Sequence, residues 1–135
     1  MMVSKDPNKL CPCIRAKYWL VMEFCERNNI SVVTIETMRD IEMQKHYLQI
    51  GASATLHSMH LPQPPNGLSL AFDIAPLAYL HIKLWNPNGA LWLKIAEFSK
   101  SIGLEPGAYW KRFIDNPHHQ LSVCQCSIAN LKATT

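Results

Sequence analysis

The spacing of apolar residues predicts two helices near the amino terminus. Pro12 suits the first position of a helix, and "CIRAKYWLVMEFCERNN" follows it with helical spacing of Ile14, Tyr18, Val21, Met22 and Cys25. Residues 39–50, "RDIEMQKHYLQI", predict a second helix that ends near Gly51 and carries on one side Ile41, Gln44, Tyr47 and Leu48. Between these helices, "ISVVTIE" is β-branched and predicts a buried strand.

The remaining segments predict more strands and one further helix. "LAFDIAP" (70–76) is a short strand that Pro76 stops, after the polar loop "GASATLHS" (51–58), and "YLHIKLW" (79–85) alternates like a strand. "NPNG" (86–89) is typical of a turn, and "ALWLKIAEFSKSI" has the amphipathic pattern of a helix closed by Gly103. "HQLSVCQC" (119–126) predicts the last strand.

This order of elements favours one fold class. Helices and strands mix without a regular β-α-β rhythm, so an α+β fold is favoured over a doubly wound sheet. The 135 residues fit a single small domain, residues 1–135, with one hydrophobic core over about residues 10–126.

Composition and charge exclude several classes of protein. A hydrophobic fraction of 48% with 17% charged residues is typical of a globular chain. The net charge is only +3, and the basic residues are scattered, which argues against a nucleic-acid partner. The sequence has no apolar run long enough for a membrane span. "MMVSKDPNKL" lacks the apolar core of a signal peptide, so we expect synthesis in the cytoplasm without one.

The five cysteines form no recognisable disulfide framework. They are Cys11, Cys13, Cys25, Cys124 and Cys126. We expect them to be reduced and to act as small core residues in a reducing cytoplasm. Metal binding by "CPC" and "CQC" is the alternative, although C-x-C pairs alone are weak signals.

Two segments carry residue types that bind a metal. Residues 57–76, "HSMHLPQPPNGLSLAFDIAP", offer His60 and Asp73 as ligands if the proline-rich turn folds back. Residues 110–121, "WKRFIDNPHHQL", offer His118 with Asp115 three residues before it. Such a carboxylate can accept the proton of an activated water. The alternative is that six histidines cluster by chance and these segments are polar turns.

Short motifs in a set order connect these residues to a known family. They are "RDIEMQ" with Arg39 and Gln44, "SMH" with Ser58 and His60, "AFD" with Ala71 and Asp73, "YW" with Trp110, and "DNPH" with Asp115 and His118. Over roughly residues 10–122 the chain resembles the superfamily of zinc D-alanyl-D-alanine carboxypeptidases and L-alanyl-D-glutamate endopeptidases, which includes many bacteriophage endolysins. Members carry Arg and Gln, then S-x-H-x-x-G-x-A-x-D, then Trp and D/E-x-x-H.

The resemblance implies a fold, a cofactor and a set of roles. The fold is the hedgehog and D,D-peptidase type, a mostly antiparallel sheet with flanking helices and a zinc site in a cleft. Zn²⁺ would be held by His60, Asp73 and His118. The catalytic residues would be Asp115 as general base and Arg39 as the group that stabilises the oxyanion. The implied substrate-binding residues are Ser58, Gln44 and Trp110. Without the resemblance, Arg39 has a structural alternative, a salt bridge to Asp40 or Glu36.

The chain departs from the family pattern in two places. Asp73 lies thirteen residues after His60, whereas the family spacing is seven, so "LPQPPNG" looks like an inserted turn with Gly67 or Ser69 at the family's glycine. His119 follows His118 where the family often has an aromatic residue, which makes it a rival ligand. We prefer His118, because His119 would point the other way on a strand.

The function implied by the resemblance is hydrolysis of peptides that contain D-amino acids in peptidoglycan. The chain would be a phage or prophage lysis enzyme, a monomer that reaches the wall through a membrane lesion or in a virion. Endopeptidase and carboxypeptidase activity both stay open. The alternatives are a non-catalytic zinc-containing virion or wall-binding protein of the same fold, favoured by the altered spacing, and a cysteine-ligated zinc protein.

Overall fold

The computed structural model describes residues 1–81 and 89–122, which form an α+β fold. The helices are α1 (Pro12–Arg27), α2 (Ile41–Gln49), α3 (Leu77–His81) and α4 (Ala90–Ser101). The strands are β1 (Val3–Ser4), β2 (Val32–Glu36), β3 (Met38–Arg39), β4 (Ala71–Pro76), β5 (Glu105–Pro106) and β6 (His118–Gln120). Two 3₁₀ turns lie at Pro7–Lys9 and Gly107–Tyr109.

The main sheet has four antiparallel strands in the order β2-β4-β6-β5. Its central strand β4 is buried along its whole length. Strands β1 and β3 pair separately, also antiparallel. The prediction of an α+β fold with a mostly antiparallel sheet is therefore confirmed.

The hydrophobic core lies between one face of this sheet and helices α1 and α4. Phe24 of α1 stacks on Phe98 of α4 with ring centroids 4.3 Å apart, and Tyr18 meets Phe72 of β4 edge-on at 5.1 Å. Phe72 and Ile74 belong to this core. Since alternate residues of a strand point to opposite faces, Asp73 points away from the helices. The second face of the sheet is thus free to hold polar chemistry.

Several predicted elements are confirmed by the structure. Helix α1 begins at Pro12, and the side chains buried from it are Ile14, Tyr18, Val21 and Cys25. Helix α4 and strand β4 lie where the patterns placed them. Gly103 follows α4 with φ +93°, the left-handed conformation that a glycine adopts without strain.

The prediction of a strand over residues 79–85 is wrong for the part that is described. Tyr79 to His81 belong to α3, which starts directly after Pro76. A short apolar run does not distinguish a strand from a helix by periodicity alone. Residues 82–88, with most of the predicted turn at 86–89, lie outside the described residues. Only His119 and Gln120 of the predicted last strand lie in β6, and its residues 123–126 are also outside the described residues.

The prediction of a buried strand at "ISVVTIE" is wrong, and helix α2 leaves its apolar residues exposed or half-buried. Strand β2 is half-buried from Val32 to Ile35 because it is an edge strand of the sheet. Helix α2 buries only Gln44, while Ile41 is 47% and Leu48 38% exposed. The reason is that α2 packs over a polar cluster around Arg39 instead of the hydrophobic core.

The cysteines only partly match the expected reduced state. Cys11 is disulfide-bonded, which contradicts that expectation. Cys25 is a buried free thiol in the core, and burial raises its pKa to about 11. Cys124 and Cys126 lie outside the described residues.

Every helix within residues 1–81 and 89–122 is too short or too polar to cross a bilayer.

Candidate metal and active site

The site starts from the pairing of β4 with β6. In this antiparallel ladder Asp73 lies directly opposite His118. Residues opposite each other present their side chains on the same face. His118 Nδ1 is 3.0 Å from Asp73 Oδ1, and both residues are buried.

His60 reaches the same carboxylate from a loop. Residues 61–68 form a loop between His60 and the segment that leads into β4. Two backbone hydrogen bonds close the base of this loop: Gln63 N–H donates to Leu68 O (3.0 Å) and Leu70 N–H to Met59 O (2.8 Å). His60 therefore sits beside β4, with Nε2 3.0 Å from Asp73 Oδ1. This loop takes up the extra residues between His60 and Asp73, so the two side chains still meet.

The two candidates for the family's glycine have different places in that loop. Gly67 lies at its turn with φ +72°. Ser69 lies at its base, is fully buried, and donates its hydroxyl hydrogen to the carbonyl oxygen of Thr37 (2.6 Å). Ser69 is also two residues before Ala71, which is the spacing of the family's glycine.

Hydrogen bonds on the far side of each ring orient the two histidines. His60 Nδ1 faces the carbonyl oxygen of Thr37 at 3.3 Å. Because a carbonyl only accepts, Nδ1 carries a hydrogen, so Nε2 is the ring nitrogen that a metal ion can take. His118 Nε2 lies 2.8 Å from Gln120 Oε1, while Gln120 Nε2 donates to Glu105 Oε2 at 3.2 Å. The amide orientation set by Glu105 places a hydrogen on His118 Nε2, so Nδ1 is the ring nitrogen that a metal ion can take.

The three donor atoms suit a metal ion. Ligand atoms of His60, Asp73 and His118 lie within 4.8 Å of one another. Ligands about 2.1 Å from a tetrahedral ion are separated by roughly 3.4 Å, so small shifts would complete such a site. Second-nitrogen hydrogen bonds of this kind are usual for metal-binding histidines. Among the described residues no other group of His, Cys, Asp and Glu converges in this way.

The histidines also keep Asp73 ionised. Burial alone would raise the pKa of this carboxyl. The charge of His60 and hydrogen bonds from His118 and His60 outweigh burial, and hold the pKa well below its usual range. An anionic oxygen is thus available as a metal ligand.

Asp115 is a second carboxylate beside the cluster. Its Oδ2 lies 3.9 Å from His118 Nδ1. Burial, followed by the negative charge of Asp73, raises the pKa of Asp115 to about 6. A carboxylate with such a pKa can both accept and release a proton near neutral pH.

His119 lies on the opposite face of the sheet from His118. Its ring stacks on Phe72 at 5.2 Å, and its Nδ1 is 2.7 Å from the hydroxyl of Ser99. Burial lowers the pKa of His119 to about 3, so it is a neutral core residue. The structure thus places His118, and not His119, beside His60 and Asp73.

Arg39 is held rigidly at the edge of the site. Its guanidinium donates to both carboxylate oxygens of Glu36 (2.5 and 2.7 Å) and to Gln44 Oε1 (2.9 Å), and lies 4.6 Å from the ring centre of Tyr47. Of the predicted structural alternatives the Glu36 salt bridge is present, whereas Asp40 caps α2 by accepting from Met43 N–H at 2.8 Å. Three of five guanidinium N–H groups are used, which leaves two for a ligand.

The predicted substrate-binding residues differ in their access to the cavity. Ser58 and Trp110 line it; the Trp110 ring lies 5.0 Å from that of His118, and Ser58 Oγ accepts from His60 N–H at 3.1 Å. Gln44 does not line it. Its amide is fully buried and donates to Ser53 Oγ (2.9 Å) and Thr55 O (2.6 Å), so it connects Arg39 to the loop at the cavity rim.

These groups surround one cavity of about 780 Å³. His60, Asp73, His118, Asp115 and Arg39 all line it. One wall is formed by the polar loop at residues 52–58, and the other by Trp110, Phe113 and Ile114. All the predicted metal and catalytic residues are therefore brought together at one cleft.

The chain was compared with known families and with characterised relatives. A family model described as D-alanyl-D-alanine carboxypeptidase matches residues 51–121, more than half of the 135 residues. The chain belongs to this family. It is 32% identical over 115 residues to the L-alanyl-D-glutamate peptidase of Listeria phage A118; the match covers 85% of this chain and 39% of that protein. The chain thus spans about two fifths of this relative's length.

The fold of this family member is similar to that of a solved endopeptidase structure. The crystal structure of the L-Ala D-Glu endopeptidase ChiX of Serratia marcescens matches with a TM-score of 0.60 at 19% identity, over 90% of this chain and 89% of that one. At this identity the likeness concerns the architecture. It covers a larger share of the chain than the segment matched by the family model.

Some residues of the site were missed by the sequence patterns of this family member. Thr37 acts through a backbone carbonyl, which any residue type would supply, so no sequence signal marks it. Gln120 had a signal, because a residue two positions after His118 on a strand shares its face. Glu36, three residues before Arg39, is predicted only as a salt-bridge partner, and it also lines the cavity.

The Arg39–Glu36 pair leads to a stability prediction. We expect Arg39→Ala to lower the free energy of unfolding by about 3–5 kcal/mol, because it leaves a buried carboxylate without its charged partner. The double variant Arg39→Gln with Glu36→Gln removes both charges and is expected to lose less. Urea unfolding measures both, with Lys45→Ala on the exposed side of α2 as a control within about 0.5 kcal/mol of the parent. A similar loss in the single and double variants would contradict this account.

Proposed function

We propose that this chain is a zinc-dependent peptidase that hydrolyses peptidoglycan stem or cross-link peptides containing D-amino acids. The observation that carries the proposal is the convergence of His60, Asp73 and His118 with a second carboxylate, Asp115, 3.9 Å from His118. A site that only holds a metal has no need of that second carboxylate. This feature argues against the non-catalytic alternative.

His60, Asp73 and His118 would hold the zinc ion. Two neutral imidazoles and one carboxylate are a usual protein set for catalytic zinc, which supplies a water of lowered pKa and polarises a carbonyl group. Thr37 and Gln120 would keep the two rings in the tautomers that such binding requires.

Asp115 is the proposed general base. Its carboxylate would take a proton from the attacking water at Oδ2 and later deliver it to the leaving amine. A pKa of about 6 leaves most of this group ionised at neutral pH, yet basic enough to accept the proton. Its position at the cavity wall, beside His118, is suited to this task.

Arg39 is the proposed partner of the developing oxyanion. Glu36, Gln44 and Tyr47 fix its guanidinium, so its two remaining N–H groups would be oriented before the substrate arrives. Donors fixed in advance stabilise charge in a transition state without a reorganisation cost. Ser58 and Trp110 would contact the peptide, and Gln44 would act by holding Arg39.

We propose the bond between L-alanine and D-glutamate as the one that is cut. Support comes from the phage relative, whose name is L-alanyl-D-glutamate peptidase. The two cavity walls, from residues 52–58 and 110–114, can line the peptide on either side of the metal ligands. The name of the family, D-alanyl-D-alanine carboxypeptidase, makes release of a terminal D-alanine the competing outcome.

The biological setting we propose is phage or prophage lysis. A monomer made in the cytoplasm would reach the wall through a membrane lesion, or would be carried in a virion. The phage origin of the relative supports this setting.

The first prediction from this function concerns the metal. We expect about one zinc per purified chain by elemental analysis, with His60→Ala and His118→Ala each losing most of it. His119→Phe keeps the stacking on Phe72 and is the matched control, expected to retain zinc. Zinc that survives both ligand changes but is lost after Cys124→Ser and Cys126→Ser would assign the metal to the cysteines.

The second prediction concerns the product. Purified peptidoglycan digested with the zinc-loaded protein should yield new amino termini on D-glutamate, identified by mass spectrometry. Free D-alanine without such termini would mean a carboxypeptidase. An absence of both products, with zinc bound and the chain folded, would refute the proposed peptidase.

The third prediction separates ligand from base. Asp115→Asn is expected to keep zinc and fold but to lower kcat by roughly 10²- to 10⁴-fold, the usual contribution of a general base. Asp73→Asn should instead lose the metal. Glu97→Gln, an exposed carboxylate on α4, is the control and should remain fully active. Full activity of Asp115→Asn would refute the role given to Asp115.

A further inference from the structure

Gly107 and Asp115 approach each other closely along the backbone. Gly107 follows β5 and begins the 3₁₀ turn Gly107–Tyr109. Its carbonyl oxygen accepts hydrogen bonds from the N–H groups of Asp115 (3.0 Å) and Trp110 (3.2 Å). The segment from 107 to 115 is thus a loop whose two ends are hydrogen-bonded together.

No side chain fits between these two ends. A Cβ atom placed on Gly107 would overlap the carbonyl oxygen of Asp115 and lie 3.1 Å from its carbonyl carbon and its Cβ. The obstruction is backbone, which cannot rotate away as a flexible side chain could. Gly107 has no left-handed φ, so it is required here for space and not for conformation.

The carbonyl oxygen of Asp115, which an added Cβ would overlap, also connects Asp115 to β6, the strand that carries His118. The same Asp115 carbonyl accepts a hydrogen bond from His118 N–H at 3.1 Å. His118 itself is fixed by its pairing opposite Asp73 and by the bond from its ring to Gln120. Pushing on this carbonyl would therefore shift Asp115 while His118 stays in place.

We propose that Gly107 is a positioning residue for the reaction, which sets the distance of the Asp115 carboxylate from His118 by allowing direct backbone contact. This inference rests on the proposed function, since it gives Asp115 the role of general base. Gly107 acts through Asp115, because the three atoms nearest to an added Cβ all belong to that residue.

The loop between the two ends can absorb the strain of an added methyl group. Residues 111 to 114 are exposed, so they can move without disturbing the core. Gly107→Ala is therefore expected to fold and to bind zinc like the parent. Asp115 would move by roughly an ångström, and a misplacement of that size typically costs on the order of 100-fold in rate.

The test compares kinetics, zinc content and thermal unfolding of Gly107→Ala with those of the parent. We expect kcat to fall by about 10- to 100-fold, because the perturbed group acts in proton transfer, whereas a change in KM reports movement of the cavity wall at Phe113 and Ile114. A crystal structure of the variant should show a changed Asp115–His118 distance, against 3.9 Å in the parent. Gly103→Ala, which strains a left-handed glycine outside the cavity, is the control for destabilisation and should keep its kcat.

A double-mutant cycle with Asp115→Asn separates positioning from any other effect. If Gly107 acts through Asp115, Gly107→Ala should change kcat by less than about threefold in the Asp115→Asn background. An equal loss in both backgrounds would overturn the inference, as would unchanged kcat in the single variant or a variant that does not fold. Full activity of Asp115→Asn alone would instead count against the proposed role of Asp115.

Discussion

The whole site depends on the register between β4 and β6. This register places Asp73 opposite His118 and, one residue along, Phe72 opposite His119. A slip of one residue would turn every side chain of one strand to the other face. Phe72 must face the helices to complete the core, so the alternation that builds the core also directs Asp73 and His118 to the cleft. Core and site are specified by the same pattern.

A second constraint is the buried polar cluster beneath α2. Glu36, Arg39 and Gln44 are all buried, and Arg39 donates hydrogen bonds to the other two side chains. Such a network is costly when incomplete and rigid when complete. Its geometry explains why α2 buries a glutamine and exposes Ile41 and Leu48: the helix covers charged groups that a purely apolar face could not satisfy.

The sequence predicted the structure well where a residue type strongly favours one local structure or one kind of site. Pro12 at the start of α1 and the pattern of α4 predicted these helices, and the ordered motifs named His60, Asp73 and His118, which the structure brings together. The sequence did not predict features that depend on contacts between segments distant in the chain. The run after Pro76 continues as a helix, two-residue strands such as β3 have no periodicity, and the carbonyl of Thr37 has no residue-specific signal. The close contact at Gly107 depends on a loop that returns to it.

Because of the loop at residues 61–68, the number of residues between His60 and Asp73 does not determine how far apart they lie in the structure. Because backbone bonds close its base, its length hardly affects where His60 lies. Lengthening a loop from two to eight residues costs only about 1 kcal/mol of closure entropy. Insertions at this point are therefore nearly neutral for the site, and drift in the His-to-Asp interval is to be expected among related chains. A search that requires a fixed interval would overlook such relatives, whereas one that scores the two flanking segments separately would find them.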